Sequence, residues 1–368
     1  FESFGVVGHI AFGYLVWRET QASNVMILGI ESSCDESALS LFCPQHGVVN
    51  EWIHSQVIKH AEYGGVVPDL AVRQHLDNFF PLLDQLDHEF KLPTKISKIA
   101  VTCGPGLIGC LGVGLTIAKT LGMLWHIPVY GVNHLRGHAY SPFMRSNDQA
   151  SRWTDHLPHL GLLVSGGNTL LFEITEDRSI TVIGRTKDDA AGEALDKGAK
   201  LLGISYPGGA ELEQMAKNGN PTAYSFPRAF KSKEDHDFSF SGLKTSLLYT
   251  LQKMSEVEVE RNHSDLCASY QEAAMDQLGQ KCLRFLEKKR YRSFGLSGGV
   301  ANNENLRDRL GKICQERNLI FLAAEKRHTG DNAAMIAHAA HLDPNGLWSN
   351  LRGGLNFNPG LTLDAAPI

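Results

Sequence analysis

Residues 133–140 read NHLRGHAY and place His134 and His138 four positions apart. On a helix such a pair shares one face, so both imidazoles can reach a single ion. Spacing alone leaves two readings open. With 16 histidines in 368 residues, about 0.7 such pairs arise by chance, the ordinary false-positive load of a short motif. The pair is either part of a metal shell or two histidines on an ordinary helix face. HLRGH lacks the glutamate of an HExxH metallopeptidase, which argues against that chemistry. The seven cysteines, Cys34, Cys43, Cys103, Cys110, Cys267, Cys282 and Cys314, are odd in number and show no CxxC spacing. They fit a reducing, cytoplasmic setting and suggest no cysteine zinc site.

A second set of residues suits a nucleotide. Three short apolar runs end in glycine turns: KIAVTCGPGLIG (98–109), LGLLVSGGNT (160–169) and FGLSGGVANN (294–303). Backbone N–H groups in such turns can converge on phosphate oxygens. Each turn taken alone is equally a tight strand exit. No GxGxxG fingerprint follows a strand and no GxxxxGK[ST] is present, so neither a Rossmann nor a P-loop site is indicated. In residues 187–216, Asp189, Glu193, Asp196 and Lys200 fall at helical spacing opposite Ala190, Ala194, Leu201 and Leu202. This predicts an amphipathic helix whose acidic stripe runs into the turn YPGG.

The elements that must position these groups follow an α/β grammar. MILGI, the polar turn ESSCDES and the alternating ALSLF predict a β-hairpin from Met26 with a hydroxyl- and carboxylate-rich tip. Strand, glycine turn and helix succeed one another at LGVGLTIAKTLGMLW and again at NLRDRLGKICQE, as in sheets whose ligands sit at the carboxyl ends of strands. The recurring SGG, each time with asparagine close behind, indicates an internally duplicated chain with a cleft between halves. A length of 368 residues with 43% apolar content supports two such halves. Formal charge is −5 without a long basic run, so any nucleic acid needs a local patch or a helper subunit. Lys288–Arg292 (KKRYR) reads as a helix C-terminus opposing its own dipole, with nucleic-acid contact the lesser alternative. Gly5–Trp17 is too short to span a bilayer and has no basic leader. Pro105–Trp125 is long enough, but its Gly-Pro-Gly opening and Lys119 favour a buried helix, and no membrane partner is expected.

ILGIESSCDES, HAEYGGVVPDLAVRQH, GPGLIGCLGVGLTIAKTL, VNHLRGH, LLVSGGNT, DDAAGEALDKGAKLLGISYPGG, DFSFSGLKT, LSGGVANN and GDNAAMIA occur in this order. From Met26 to His341 the chain thereby resembles the tRNA N6-adenosine threonylcarbamoyltransferases, formerly called O-sialoglycoprotein endopeptidases. The resemblance implies a duplicated actin/Hsp70/sugar-kinase-like α/β fold. Residues 26–135 would form the first lobe, with about 331–368 packing back on it, and 136–330 the second. Residues 1–25 fall outside the family pattern, as an N-terminal extension. The resemblance also implies one divalent ion, iron ahead of zinc, on His134, His138 and Asp331, with magnesium accompanying a nucleotide. It assigns the nucleotide to Leu163, Val164, Ser165, Gly166, Gly167, Asp196, Gly209 and Asn303, with Glu213 near the ribose and Asp35 near the phosphates. No general base is assigned. The implied substrates are threonylcarbamoyl-AMP and tRNA; the implied partners are a non-catalytic paralogue and a small ATPase. Arg136 stands where bacterial members often carry glutamate, and Asn168 where histidine is common. The alternative reading is an ATP-dependent phosphotransferase of the same superfold, against which the histidine pair argues, because magnesium prefers oxygen ligands.

Overall fold

The computed structural model describes residues 25–93, 95–144, 152–229, 235–349 and 354–365. The extension expected at 1–25 and the apolar stretch Gly5–Trp17 therefore lie outside the described residues, apart from Val25. The hairpin opens the fold as β1 (Met26–Glu31) and β2 (Glu36–Cys43), antiparallel, followed by β3 (Gly47–Ser55). Next come α1 (Val57–Ala61), α2 (Pro68–Phe90), β4 (Ile96–Gly104), α3 (Ile108–Trp125), β5 (Val129–Asn133) and α4 (His134–Tyr140). The middle of the chain holds β6 (His159–Val164), β7 (Thr169–Ile174), β8 (Ile180–Arg185), α5 (Ala191–Leu201), α6 (Gly209–Ala216), α7 (Ser241–Leu251), α8 (Glu256–Arg261) and α9 (His263–Lys288). It closes with β9 (Ser293–Ser297), α10 (Glu304–Glu316), β10 (Ile320–Ala323), α11 (Ala333–Leu342) and β11 (Trp348–Ser349).

The strands form two mixed sheets, ordered β11-β5-β4-β1-β2-β3 and β10-β9-β6-β7-β8. In each, parallel pairs (β1 with β4 and β4 with β5; β6 with β9 and β9 with β10) are extended by antiparallel hairpin strands. Strands β1 and β6 are buried along their whole length. That explains why MILGIE and HLGLLV read as nearly continuous apolar runs rather than as alternations. One apolar core lies on the first sheet around Leu28, Phe79 and Val101, and another on the second around Leu162, Tyr270 and Phe294. A third joins Ile27, Val132, Leu135, Leu163, Phe172, Met335 and Ile336, so α4 and α11 are packed between residues of both sheets. The lobe boundary expected between residues 135 and 136 falls inside α4.

Helix α3 is long and apolar enough to cross a membrane by length and composition. It packs on β4 and α2, burying Cys110, Leu111, Leu115 and Ala118. All seven cysteines are free.

Two glycines are set by close approach. A Cβ on Gly29 of β1 would lie 2.3 Å from the Ala333 carbonyl oxygen, and one on Gly192 would lie 2.6 Å from the Ser165 oxygen. The first lets the start of α11 rest on β1; the second lets α5 rest on the SGG turn.

Candidate metal and nucleotide site

Helix α4 begins at the end of β5, where the Asn133 side chain accepts the Leu135 N–H at 2.9 Å and caps the helix, as asparagine does well. The cap places His134 in the first turn and His138 one turn on, both buried, with ring centroids 4.7 Å apart. Asp331 arrives from the far end of the chain, just ahead of α11, whose cap is the Asn332 side chain accepting the Met335 N–H at 2.8 Å. One Asp331 oxygen lies 3.0 Å from His138 Nε2 and 3.4 Å from His134 Nε2. One ligand atom from each of the three side chains lies within 4.8 Å of the others.

Glu31, at the buried end of β1, completes the arrangement. Its Oε2 lies 3.0 Å from His134 Nδ1, and its carboxylate accepts the Thr102 hydroxyl and the Ser33 N–H at 2.5 Å each. A carboxylate on Nδ1 fixes the ring and leaves Nε2 for an ion. Sequence reasoning missed Glu31. Its only signal was an acid at the end of an otherwise apolar strand, inside a motif quoted for its tip. His138 Nδ1 is buried without a partner, so Nε2 is the ring's bonding atom there.

The electrostatics favour a cation. Burial opposes protonation of His134, yet Asp331 and Glu31 outweigh it and hold the imidazole well above its ordinary pKa. Burial likewise opposes the charges of Asp331 and Glu31, but both carboxyls are held below their usual range by His134. The neighbouring Glu36 is pushed up to about 10 by burial, then by Asp331 and Asp35. Several acids thus share one recess around the two imidazoles. Two imidazoles and a carboxylate converging in this way fit a divalent transition metal with open positions.

The nucleotide assignments are placed more unevenly. Leu163 and Val164 are core residues of β6, so only backbone there can meet a ligand. Ser165, Gly166 and Gly167 form the exit turn, held by Ser165 N–H donating to Asn168 O at 2.8 Å and Asn168 N–H to Ser165 Oγ at 3.1 Å. Cβ positions on Gly166 and Gly167 would meet nothing within 4 Å, which leaves that face open. Asp196, on α5, accepts the Gly209 N–H at 2.8 Å and holds the start of α6. Glu213 accepts the Glu304 N–H at 2.7 Å, tying α6 to α10. Asn303 is already engaged: it accepts from Leu306 N–H at 3.0 Å and donates to Gln271 at 2.8 Å. Asp35 sits at the hairpin tip, with its carbonyl accepting the Gln56 N–H at 3.0 Å. Tyr206, in the YPGG turn, is pushed up to about 12 by burial and then by Asp35 and Asp196.

Arg136, between the two histidines, turns away from them. It pairs with Asp343 at the end of α11 at 2.5 Å and donates to the carbonyls of Leu363 at 3.3 Å and Ala365 at 3.0 Å.

The fold and site together define an α/β protein of the actin/Hsp70/sugar-kinase type with two histidines and a carboxylate between its sheets. Its backbone is similar to those of T. kodakarensis HypF (TM-score 0.57, 15% identity, covering 87% of this chain) and of full-length HypF in the phosphate- and nucleotide-bound form (TM-score 0.57, 12% identity, covering 91%). The chain spans 47% of each of those structures. Residues 47–338 match the family described as tRNA N6-adenosine threonylcarbamoyltransferase. The enzyme of that name from Fervidobacterium nodosum is 40% identical over 339 residues, covering 91% of this chain and 97% of the relative. The one from Herminiimonas arsenicoxydans is 40% identical over 316 residues, covering 86% and 91%. The chain belongs to the tRNA N6-adenosine threonylcarbamoyltransferase family.

Proposed function

We propose that this enzyme transfers the threonylcarbamoyl group of threonylcarbamoyl-AMP to N6 of the adenosine 3′ of the anticodon, adenosine 37, in tRNAs reading ANN codons. Family membership supports the reaction class, and the convergence of His134, His138 and Asp331 within 4.8 Å is the observation that carries the assignment of the site. In the reaction the N6 amine attacks the carbamoyl carbon, the bond to the phosphate oxygen breaks, and AMP leaves with that electron pair while the amine gives up a proton.

The chain's own residues bind and orient. Glu31 holds the His134 ring with Nε2 facing Asp331, so the donors are set before a ligand arrives and little ordering is needed on binding. The open face of Ser165–Gly167 offers backbone to phosphate oxygens, with Asp35 on the hairpin tip and Asp196 on α5 as the acids for phosphate-side and ribose-side contacts. Asp196 holds Gly209 N–H with one oxygen and is the acid assigned to a ribose hydroxyl. A divalent ion on His134, His138 and Asp331, iron ahead of zinc, supplies Lewis acidity for the charge growing on the leaving phosphate when bound. The two-lobe division at about residue 135, a paralogue and small ATPase as partners, and a cytoplasmic location with all cysteines reduced complete this reading.

The test is direct. The protein is incubated with threonine, bicarbonate, ATP, the adenylate-forming enzyme and tRNA, and nucleosides are read by mass spectrometry. Threonylcarbamoyladenosine dependent on this protein is expected. ATP-dependent phosphorylation of a small substrate without modified tRNA would overturn the proposal.

A further inference from the structure

Among the groups outside the site just described, Glu51 has the most specific geometry. It lies in β3, a strand at the edge of the first sheet, with its side chain largely buried (12% exposed). Its Oε1 accepts the Ala334 N–H of α11 at 2.7 Å, and its Oε2 lies 3.8 Å from Nδ1 of the buried His328. Ala334 stands three residues beyond Asp331. The first turn of a helix has N–H groups with no partner inside the helix; here Asn332 takes Met335 N–H and Glu51 takes Ala334 N–H. Asn332 also donates to Gly330 O at 2.8 Å. The backbone on both sides of Asp331 is therefore pinned, on one side by Asn332 and on the other by a carboxylate from a different element. Gly29 sets the floor, since it lets the Ala333 carbonyl rest on β1.

We propose that Glu51 is a positioning residue for the metal site, holding the start of α11 so that Asp331 meets the two imidazoles. This rests on the metal reading given above. The role is that of a hydrogen-bond acceptor at a helix start, which needs an oxygen at this position rather than a full negative charge. Burial pushes the Glu51 carboxyl up to about 7 against the pull of the Ala334 N–H and Arg327, in line with a site that tolerates the neutral form. Removing the acceptor leaves a buried N–H unpaired and frees the first turn of α11 to move away from β3. Displacements of a fraction of an ångström at a ligand matter, because metal donors must fall within about 0.2 Å of their ideal distances.

The experiment compares wild type with Glu51→Gln, Glu51→Ala and Glu51→Asp. Metal-stripped proteins are titrated with Zn²⁺ against a chelator, AMP affinity is measured in parallel, and amide hydrogen exchange is followed through residues 333–336. Glu51→Gln keeps an acceptor oxygen and is expected to bind Zn²⁺ within about twofold of wild type. Glu51→Ala is expected to weaken Zn²⁺ binding by about tenfold or more, in the 10- to 100-fold range of outer-shell substitutions, with AMP affinity unchanged and faster exchange at the start of α11. Glu51→Asp, whose oxygens are retracted by one methylene, should fall between them, and it carries the comparison if the alanine variant does not accumulate. Wild-type Zn²⁺ affinity and exchange in Glu51→Ala, or in Glu51→Asp if it stands in, would overturn the proposal, as would equal losses in Glu51→Gln and Glu51→Ala. If wild type itself takes up no Zn²⁺ while Glu51→Ala exchanges faster, the metal reading fails and the hold on α11 stands.

Discussion

At the scale of single residues, two predictions separate the metal donors from the nucleotide contacts. If His134, His138 and Asp331 share one ion, each alanine variant should lose most bound metal and most transfer activity while remaining folded, because a chain of this size does not depend on a cleft ion for its core. Elemental analysis of purified variants checks this, and wild-type metal content in Asp331→Ala would remove Asp331 from the shell. Asp196→Ala should leave metal content alone and weaken AMP binding by about ten- to a hundredfold, the value of a buried hydrogen bond to a carboxylate, roughly 1.5–3 kcal/mol. Since Asp196 also holds Gly209 N–H at 2.8 Å, Asp196→Asn is the milder companion variant: it keeps an acceptor for that N–H and should lose less AMP affinity than Asp196→Ala. Calorimetry with AMP reads both, and unaltered affinity in Asp196→Ala would exclude a ribose role.

At the scale of elements, α4, which bears the two histidines, and α11, which follows Asp331, are tied to other elements, α11 at both of its ends. Glu51 and Asn332 hold the start of α11, and Arg136 joins the end of α11 to α4 through Asp343 and to the C-terminal segment through Leu363 and Ala365. Asn133 adds a bond to Thr362 O at 2.7 Å, and Lys119 one to Leu355 O at 2.5 Å. Arg136→Met should therefore destabilise the fold by roughly 2–4 kcal/mol, somewhat under the range for a fully buried pair that loses one partner. The C-terminal segment should also become the first site of limited proteolysis. Denaturant unfolding and mass mapping of the cleaved product test this, and unchanged stability with a protected terminus would refute it. The arginine in HLRGH thus has a partner set of its own, directed away from the two histidines.

At the scale of the whole molecule, the buried neutral histidines set a pH limit on stability. Burial, followed by His156, lowers His159 to about 3; burial, followed by His341 and His328, lowers His338 to about 3. The unfolded chain takes up protons on both near pH 6.5 while the folded chain does not, so the unfolded state binds more protons below that pH. The stability these two rings contribute then rises with pH across this window. The contribution is complete above about pH 6.5 and is lost as pH falls toward 3, with a slope of up to about 1.4 kcal/mol per pH unit for each histidine. Glu36 and Glu51, raised to about 10 and about 7, act in the opposite sense over this window, so the histidine contribution is read as a difference: between pH 7 and 4.5 the stability of His338→Gln relative to wild type should rise as pH falls. A pH-independent difference between His338→Gln and wild type in urea midpoints would contradict the burial assigned to His338.

Much of this was legible in order of residues alone. Apolar runs broken by glycine turns announced the strands, since a fully buried strand needs no alternation, and HLRGH announced a helix with two imidazoles on one face. The acidic stripe in 187–216 forms a helix that ends before YPGG, as its spacing predicts, but α5 begins only at Ala191, so Asp189 lies in the bend ahead of it rather than on its face. What no local pattern contained was the joining of parts far apart in sequence. Asp331 is joined to the histidines by resemblance, not by spacing; Glu31 has only the faint mark of an acid that ends an apolar strand, and Glu51 has none. The engagement of Asn303 with Gln271 and Leu306, and of Arg136 with Asp343, depends on helices that meet only when two sheets close on a shared core. Local sequence determines which segments become strands, helices and caps, because those follow from side-chain spacing and backbone preference. Which carboxylate faces which imidazole is decided by packing between elements up to two hundred residues apart, and only the tertiary structure contains that.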